Sequence, residues 1–432
     1  MEDTKEDLKR VVGVFGLSSN IVNVIVGAGI FALPAIVAAG LGSSSIYAYL
    51  LCGVLVVLVM LCFAEAGSRI TASGGAYIYI KTAFGPYFGF LTAILFIFAA
   101  IAADAAVANA VVEVFGSVFP VFKLPYVRIC IILLFFAGFG YINVIGVKNG
   151  MRMVKFVTVV KLMPLLLIVI FSWGDVALDN LAIRNTPAIT EIAEISLILF
   201  FAFQGAETSL SISGEVKDPK KNIPRAIFIS ILAVITLYIL IQTVSQGVLG
   251  TSLAGFTENP LGAVASKVFG PVGFTIMTIG AAVSMMGYLS SSILSMPRIL
   301  FRASKDNVLP VKLLTKIHPR YQTPYISIIT YAGTGFLFAS LGGFRTLAVI
   351  ATATVLLIYL GVSLSVIKLK RGRPLLKSEF RIPGGNLVPI LSSLTIVYLL
   401  LNLAQKEFIV IISFIAVLSI LYLFKKKKLG KE

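Results

Sequence analysis

Long apolar stretches follow one another along the chain, and short polar connections separate them. A bilayer has a hydrocarbon core about 30 Å thick, which a helix of about 20 apolar residues can cross. The pattern predicts about twelve spans, which we place at residues 11–41, 46–66, 86–117, 127–146, 153–173, 192–213, 226–249, 272–297, 324–342, 346–367, 386–404 and 407–424. The chain is therefore expected to be an all-α membrane protein.

The composition supports the membrane interpretation, and the positions of the charges add an orientation. Hydrophobic residues make up 58% of the chain and charged residues 13%, with a mean hydropathy of +0.99, unlike soluble domains. A net charge of +17 would indicate a nucleic-acid partner in a soluble protein. With a cytoplasmic N-terminus, however, about 29 Lys and Arg residues fall on the cytoplasmic side and about six on the other. We therefore expect a multi-pass cell-membrane protein with cytoplasmic termini, surrounded by lipid and without a nucleic-acid partner.

Chemistry that needs a metal or a disulfide has little support in the sequence. The three cysteines lie in or at the edge of apolar stretches without metal-ligand spacing, and the single histidine lies in a basic connection: Cys52, Cys62, Cys130 and His318. The longest polar connections, at 298–323 and 368–383, carry mainly Lys and Arg, not the His, Asp and Glu typical of a catalytic domain. We therefore expect no metal or organic cofactor, and a membrane enzyme is the less favoured hypothesis.

Two spans are interrupted by glycine at corresponding places, residues 26–31 (VGAGIF) in the first span and 203–207 (FQGAE) in the sixth. Interrupted segments at matching positions of two halves indicate an inverted-repeat transporter with its site at the bilayer midplane. Small residues that let two helices approach closely are the alternative explanation. We prefer two repeats with an addition: spans 1–5 in residues 1–180, spans 6–10 in 181–370, and two further helices with a basic tail in 371–432.

An unwound helix exposes backbone groups that need polar partners, because each unsatisfied group costs several kcal/mol in hydrocarbon. The N–H groups of Gly27, Ala28 and Gly29 would open a half-helix whose positive end attracts a carboxylate. Carbonyl groups around residues 200–203 would accept hydrogen bonds from an ammonium group. A zwitterionic amino acid satisfies both ends together, which makes it the expected substrate.

Four segments resemble the amino acid, polyamine and organocation (APC) superfamily of permeases with the leucine-transporter fold, and the resemblance covers nearly the whole chain. They occur in that family's order: residues 27–31 (GAGIF), 201–207 (FAFQGAE), 218–226 (DPKKNIPRA) and 304–310 (SKDNVLP). The resemblance implies twelve transmembrane helices, with discontinuous helices 1 and 6 in a 5+5 inverted repeat and two extra C-terminal helices. It also implies a transport function.

Three ionisable residues lie well within predicted spans, where burial is costly and a functional role is the default hypothesis: Asp104, Lys161 and Glu207. By the resemblance, Lys161 matches a lysine of proton-coupled members whose amine replaces a bound cation, so we expect it to couple transport to protons. A permanent ion pair with Glu207 would keep Lys161 charged and weaken this expectation. Glu207 resembles a glutamate that links the sixth span to neighbouring helices, where it either braces the break or senses protons.

The resemblance also implies two contacts with the substrate side chain. Asp104 is expected to face the substrate side chain, which would favour a cationic group, and Phe201 is expected to cover the substrate as an aromatic gate. Residues around the two breaks and one serine of the eighth span would complete the pocket: Gly27, Ala28, Gly29, Ile30, Phe203, Gln204, Gly205 and Ser292.

These expectations together predict a secondary active transporter for amino acids, coupled to protons and alternating access around a site between spans 1, 3, 6 and 8. A carrier or exchanger of polyamines or cationic amino acids is the alternative within the same class. A non-transporting amino-acid sensor and a membrane enzyme are alternatives of a different class. The sequence leaves open the exact substrate, the choice between symport and exchange, and the oligomeric state.

Overall fold

The computed structural model describes residues 12–429 apart from 71–74, 146–149, 184–185, 211–215, 306–307, 310 and 373–378. Within this part the chain is all-helical, and its one isolated β-bridge joins Val12 to Val216 outside any strand. The α-helices are α1 (Val14–Ile25), α2 (Ala28–Leu41), α3 (Ser45–Arg69), α4 (Ala76–Phe84), α5 (Pro86–Val118), α6 (Pro125–Ile145), α7 (Gly150–Phe171), α8 (Ile189–Leu199), α9 (Ala206–Ser209), α10 (Pro219–Leu249), α11 (Pro260–Lys305), α12 (Tyr325–Leu341), α13 (Phe344–Gly372), α14 (Leu387–Leu401) and α15 (Gln405–Leu429). Residues 306, 307 and 310 of the fourth family-like segment lie outside the described residues.

In the described chain, eight helical stretches are long and apolar enough to cross a membrane, and α1, α12 and α14 are shorter apolar helices. The protein is therefore a multi-pass membrane protein. Several helices are longer than predicted. For example, α10 begins at Pro219 instead of 226, and α11 runs from Pro260 to Lys305 instead of 272–297. A polar connection was expected from 298, but that stretch begins as helix, because a helix can extend past the hydrocarbon core with cations such as Arg302 in its last turn.

Two junctions with the same three residues connect a short helical segment to a long one. Phe84-Gly85-Pro86 joins α4 to α5, and residues 269–271, also Phe-Gly-Pro, divide α11. Gly85 has a φ of +92° and Gly270 a φ of +68°, a left-handed conformation that favours glycine. The following proline suits the first position of a helix. The predicted spans include neither short segment, because each is too short to cross a bilayer.

Both predicted interruptions are present as breaks in the backbone. α1 ends at Ile25 and α2 begins at Ala28. α8 passes into one 3-10 turn, Phe200–Phe203, and the next residues, Gln204 and Gly205, are not helical before α9 begins. The chain therefore carries, at two places within its apolar helices, backbone groups that lack a partner in their own helix.

The broken segments pack among long helices. α1 contacts α10 and α9, while α2 contacts α8 and α11. α5 in turn contacts α11, α12 and α13, and α7 contacts α11. Since these neighbours enclose the breaks, the free backbone groups must find their partners within the protein.

Candidate functional site

A cavity of about 250 Å³ lies between the two breaks. Nine of the predicted site residues line it: Gly27, Ala28, Gly29, Lys161, Phe201, Gln204, Gly205, Glu207 and Ser292. Ala103 of α5 and Tyr288 of α11 belong to the opposite wall. Ile30, Asp104 and Phe203, which were also predicted for the site, are not part of the lining.

The break in the first span brings a helix N-terminus to the cavity. α2 begins at Ala28, and Gly27 before it provides no side-chain cap. The first N–H groups of a helix lack partners within it, and the helix dipole adds a partial positive charge at this end. This part of the cavity therefore suits a carboxylate.

Each break packs a glycine against the segment that precedes the other break. A Cβ atom on Gly29 would lie 2.6 Å from Cα and Cβ of Ala202, and one on Gly205 would lie 2.8 Å from Cγ1 of Val24. Gly205 also has a φ of +116°, which other residues rarely adopt. Gly27 differs, because the nearest atom to its added Cβ would be 3.9 Å away. Close packing therefore explains Gly29 and Gly205, whereas Gly27 borders open space.

A tyrosine hydroxyl from a neighbouring helix joins the two breaks. Tyr238 of α10 is fully buried, and its hydroxyl donates to the carbonyl oxygens of Ile25, at 3.1 Å, and Ala202, at 2.9 Å. The Ala202 carbonyl, in the segment expected to receive an ammonium group, is thus already engaged. Sequence reasoning missed Tyr238. Its only signal is a phenol within an apolar span, where a buried hydroxyl needs a partner.

Lys161 of α7 holds the end of α1. Its Nζ atom donates to the carbonyl oxygen of Val26 at 2.8 Å and also to that of Asn23. The side chain is buried, and among the described residues no ion pair joins it to Glu207. The arrangement that would have kept Lys161 permanently charged is therefore not the one observed.

Glu207 connects the second break to α13. Its Oε2 atom accepts hydrogen bonds from the backbone N–H of Gly205, at 3.0 Å, and from the hydroxyl of Tyr359, at 2.5 Å. The carboxylate thereby satisfies the N–H of Gly205, the residue directly before α9. These contacts fit the bracing role that was weighed for Glu207.

Asp104 does not line the cavity but lies behind its wall, and its contact with a substrate stays a prediction. It is fully buried in α5, and its Oδ2 atom accepts hydrogen bonds from Ser292 of α11 and Tyr331 of α12, both at 2.8 Å. Ser292 itself lines the cavity. Asp104 therefore joins three helices and orients one hydroxyl of the site, because its helix turns the carboxylate toward α11 and α12.

The aromatic residues near the second break divide between the cavity and the core. Phe201 lines the cavity, and its ring meets that of Phe344 edge to face at 5.8 Å. Phe203 is buried against Tyr238, with ring centres 5.1 Å apart. Ile30 is also buried in the core. Successive side chains on a 3-10 turn or a helix point in different directions, so residues close in sequence, such as Phe201 and Phe203, lie on different sides of the segment.

The residues that line the cavity fall within a single family match. The model of the family described as amino acid permease matches residues 12–424. The chain belongs to the amino acid permease family. The four family-like segments of the sequence all lie inside the matched range.

Similar proteins extend the comparison over almost the whole permease. The serine/threonine exchanger SteT of Bacillus subtilis (strain 168) is 28% identical over 403 residues, which cover 91% of this chain and 90% of that protein. The methylthioribose transporter of the same organism is 28% identical over 452 residues, covering 99% and 95%. Its branched-chain amino acid permease BcaP is 24% identical over 449 residues, covering 99% and 95%. These relatives are transporters, and the permease belongs to the same general class of protein.

We expect Gly29→Ala to destabilise the permease and Gly27→Ala to leave its stability nearly unchanged. The first substitution forces a methyl group against Ala202, and overpacking of this kind costs about 1–3 kcal/mol. The second adds its methyl group to open space. Thermal unfolding of the purified variants in detergent measures the difference. Equal melting temperatures would contradict the close approach of α2 to Ala202.

Proposed function

We propose that this permease is a secondary transporter of amino acids that alternates access around the cavity between the two breaks. The observation that carries the proposal is the uncapped start of α2 on the same cavity as the unwound residues Gln204 and Gly205. A substrate carboxylate would accept hydrogen bonds from the N–H groups of residues 27–29. Its ammonium group would donate to carbonyl oxygens of the sixth span other than that of Ala202.

A neutral side chain on the substrate has the best support. The side-chain end of the cavity carries hydroxyls of Ser291, Ser292 and Ser295. Among the lining residues, Glu207 is the one carboxylate, and it is engaged by Gly205 and Tyr359. The position of Asp104 behind Ser292 weakens the case for polyamines or cationic amino acids. The names of two relatives refer to neutral amino acids and that of a third to methylthioribose. The preference for a neutral substrate side chain therefore rests on the residues that line the cavity.

Proteoliposomes that contain the permease are expected to accumulate labelled neutral amino acids, and Gly27→Leu is expected to abolish this uptake. The leucine side chain has room to fold but fills the place of the carboxylate. Gly138→Leu in α6 is the matched control, because an added Cβ there also meets nothing within 4 Å and the site is not part of the cavity lining.

Competition by neutral amino acids, basic amino acids and diamines identifies the substrate class. Stronger competition by lysine or a diamine would favour the cationic alternative, and tight binding without counterflow would favour a sensor. Near-normal uptake by Gly27→Leu would remove the site from the first span.

We assign proton coupling to Lys161. Its amine borders the cavity and donates to two carbonyl oxygens at the end of α1, those of Asn23 and Val26. An ammonium group has three donors and forms charge-assisted hydrogen bonds, whereas a neutral amine holds the same carbonyls more weakly. Loss of the proton would therefore loosen α7 from α1 and bias the balance between access states.

Lys161→Gln is expected to retain substrate exchange but to lose accumulation driven by a proton gradient. The glutamine amide can still donate to the carbonyls but cannot titrate, whereas Lys161→Ala removes the donor as well and should also lower stability. Counterflow and pH-jump accumulation in sodium-free proteoliposomes separate the two effects. If Lys161→Gln still concentrates substrate from an acidified exterior, the proton moves elsewhere and Glu207 becomes the better candidate.

We further propose that twelve spans form two inverted repeats of five, with α14 and α15 added. The first repeat would contain α1 with α2, α3, α5, α6 and α7, and the second α8 with α9, α10, α11, α12 and α13. Packing between equivalent helices supports this arrangement, since α3 contacts α10, α5 contacts α11 and α6 contacts α12. Contacts between non-equivalent helices also occur in pairs that the repeat would relate. The contact of α5 with α13 corresponds to that of α11 with α7, and the contact of α1 with α10 corresponds to that of α8 with α3. The two Phe-Gly-Pro junctions fall at equivalent positions.

The inverted arrangement determines which side of the membrane the cavity would open to. With cytoplasmic termini, the cavity extends toward the cytoplasm along α11 to Met296 and along α6 to Asn143. On the other side, the contact between Phe201 and Phe344 would close the site from the exterior.

Cysteine labelling tests the topology. Thr82→Cys in α4 and Ser266→Cys in α11 are exposed positions that the inverted arrangement assigns to the cytoplasmic and outer faces, respectively. Cys130→Ser provides the background, because Cys52 and Cys62 are buried. We expect a membrane-impermeant maleimide to label Ser266→Cys in intact cells and Thr82→Cys only after permeabilisation. Labelling of both in intact cells would contradict the inversion.

A further inference from the structure

A groove of about 750 Å³ lies between α3, α10 and residues 379–383, and it shares no lining residue with the substrate cavity. On α10 its wall is formed by residues that recur every three or four positions and therefore share one helix face: Lys221, Arg225, Phe228, Leu232 and Ile235. The first two are basic and the other three apolar. The groove thus has a cationic end and a hydrocarbon-like remainder.

The apolar part of the groove has the length of one bilayer leaflet. From Arg225 to Ile235 the helix rises about 15 Å, which is half of a hydrocarbon core about 30 Å thick. α3 runs antiparallel to α10 beside it, with Gly67 close to Ile223 and Gly53 close to Ile235. The cations therefore lie where the polar headgroups of a membrane begin.

Backbone hydrogen bonds fix the third wall of the groove to α3. The N–H of Phe380 donates to Oγ of Ser68 at 3.1 Å, and the N–H of Ile382 donates to Oε2 of Glu65 at 3.1 Å. Glu65 also forms a salt bridge with Lys370 of α13. Because residues 379–383 are anchored in this way, the groove is preformed and does not depend on a ligand to hold it open.

The groove faces outward with its apolar surface uncovered. Phe228 is 65% exposed and Leu232 is 56% exposed. Lys221 and Arg225 are also exposed, and no acidic side chain of the described chain forms an ion pair with them. Glu379, the carboxylate of the same rim, is largely buried. A ligand that fits needs an anionic group at one end and hydrocarbon along the rest.

We propose that this groove binds one anionic phospholipid, with its phosphate between Lys221 and Arg225 and its acyl chains against Phe228 and Leu232. Basic groups at the membrane surface attract anionic headgroups, and the apolar stripe places chain-binding surface directly below them. A neutral phospholipid satisfies the apolar stripe but leaves the two cations without a net counter-charge.

Native mass spectrometry of the full-length permease, titrated with palmitoyl-oleoyl phosphatidylglycerol or with phosphatidylcholine of the same chains, tests the proposal. We expect tighter binding of phosphatidylglycerol. The double variant Lys221→Gln/Arg225→Gln should weaken that binding by about 25-fold, the product of two headgroup contacts worth about five-fold each. Phosphatidylcholine binding should change little.

Two further variants separate this site from general lipid contact. Lys312→Gln/Lys316→Gln removes two exposed cations outside the groove and should retain the phosphatidylglycerol preference. Leu232→Trp fills the groove and should weaken both lipids. The proposal is wrong if the control variant loses as much affinity as Lys221→Gln/Arg225→Gln. It is also wrong if soluble glycerol 3-phosphate competes fully, because the acyl chains would then contribute nothing.

Discussion

The backbone groups freed at the two breaks must be satisfied away from water, and much of the structure follows from this requirement. Three unbroken helices supply the partners. Lys161 comes from α7, Tyr238 from α10 and Tyr359 from α13, the last acting through Glu207. Each of these polar groups is buried, and each would itself be costly to bury unpaired. The breaks and their partners therefore stabilise one another, which explains how a transporter of this family can keep irregular backbone inside an apolar bundle.

The two breaks differ in which groups are left open. In the second, the carboxylate of Glu207 caps the N–H of Gly205. In the first, the corresponding place is held by Gly29, which packs on Ala202 and offers no cap. One half-helix start is thus internally neutralised and the other remains available to an anion. This asymmetry distinguishes the two helix starts at the cavity, and in the proposed function it would place the substrate carboxylate at α2.

The sequence was sufficient to locate the breaks, because glycine interrupts two apolar spans at corresponding places and the second interruption lies beside the intramembrane Glu207. It also found Lys161, whose charge is conspicuous in a span. It did not find Tyr238, because an aromatic residue in an apolar span looks like any core residue until its hydroxyl meets two carbonyl groups. The contacts of Asp104 with Ser292 and Tyr331 could not be predicted either, since the rotation of a helix about its axis depends on its neighbours. The short helix α4 was not predicted, because it is too short to cross a bilayer.

The position of the Tyr238 hydroxyl also affects the hydrogen bonds available at the two breaks. A hydroxyl carries a single proton, yet this one faces two carbonyl oxygens, those of Ile25 and Ala202. At any instant, one of the two lacks this donor. Tyr238 alone therefore leaves one of these two carbonyl oxygens without a donor where the two broken helices meet, and Ile25 borders the cavity. In the proposed function, a substrate ammonium group, which has three donors, would also supply the carbonyl oxygen of Ile25. Part of the affinity for the substrate would then come from this backbone acceptor.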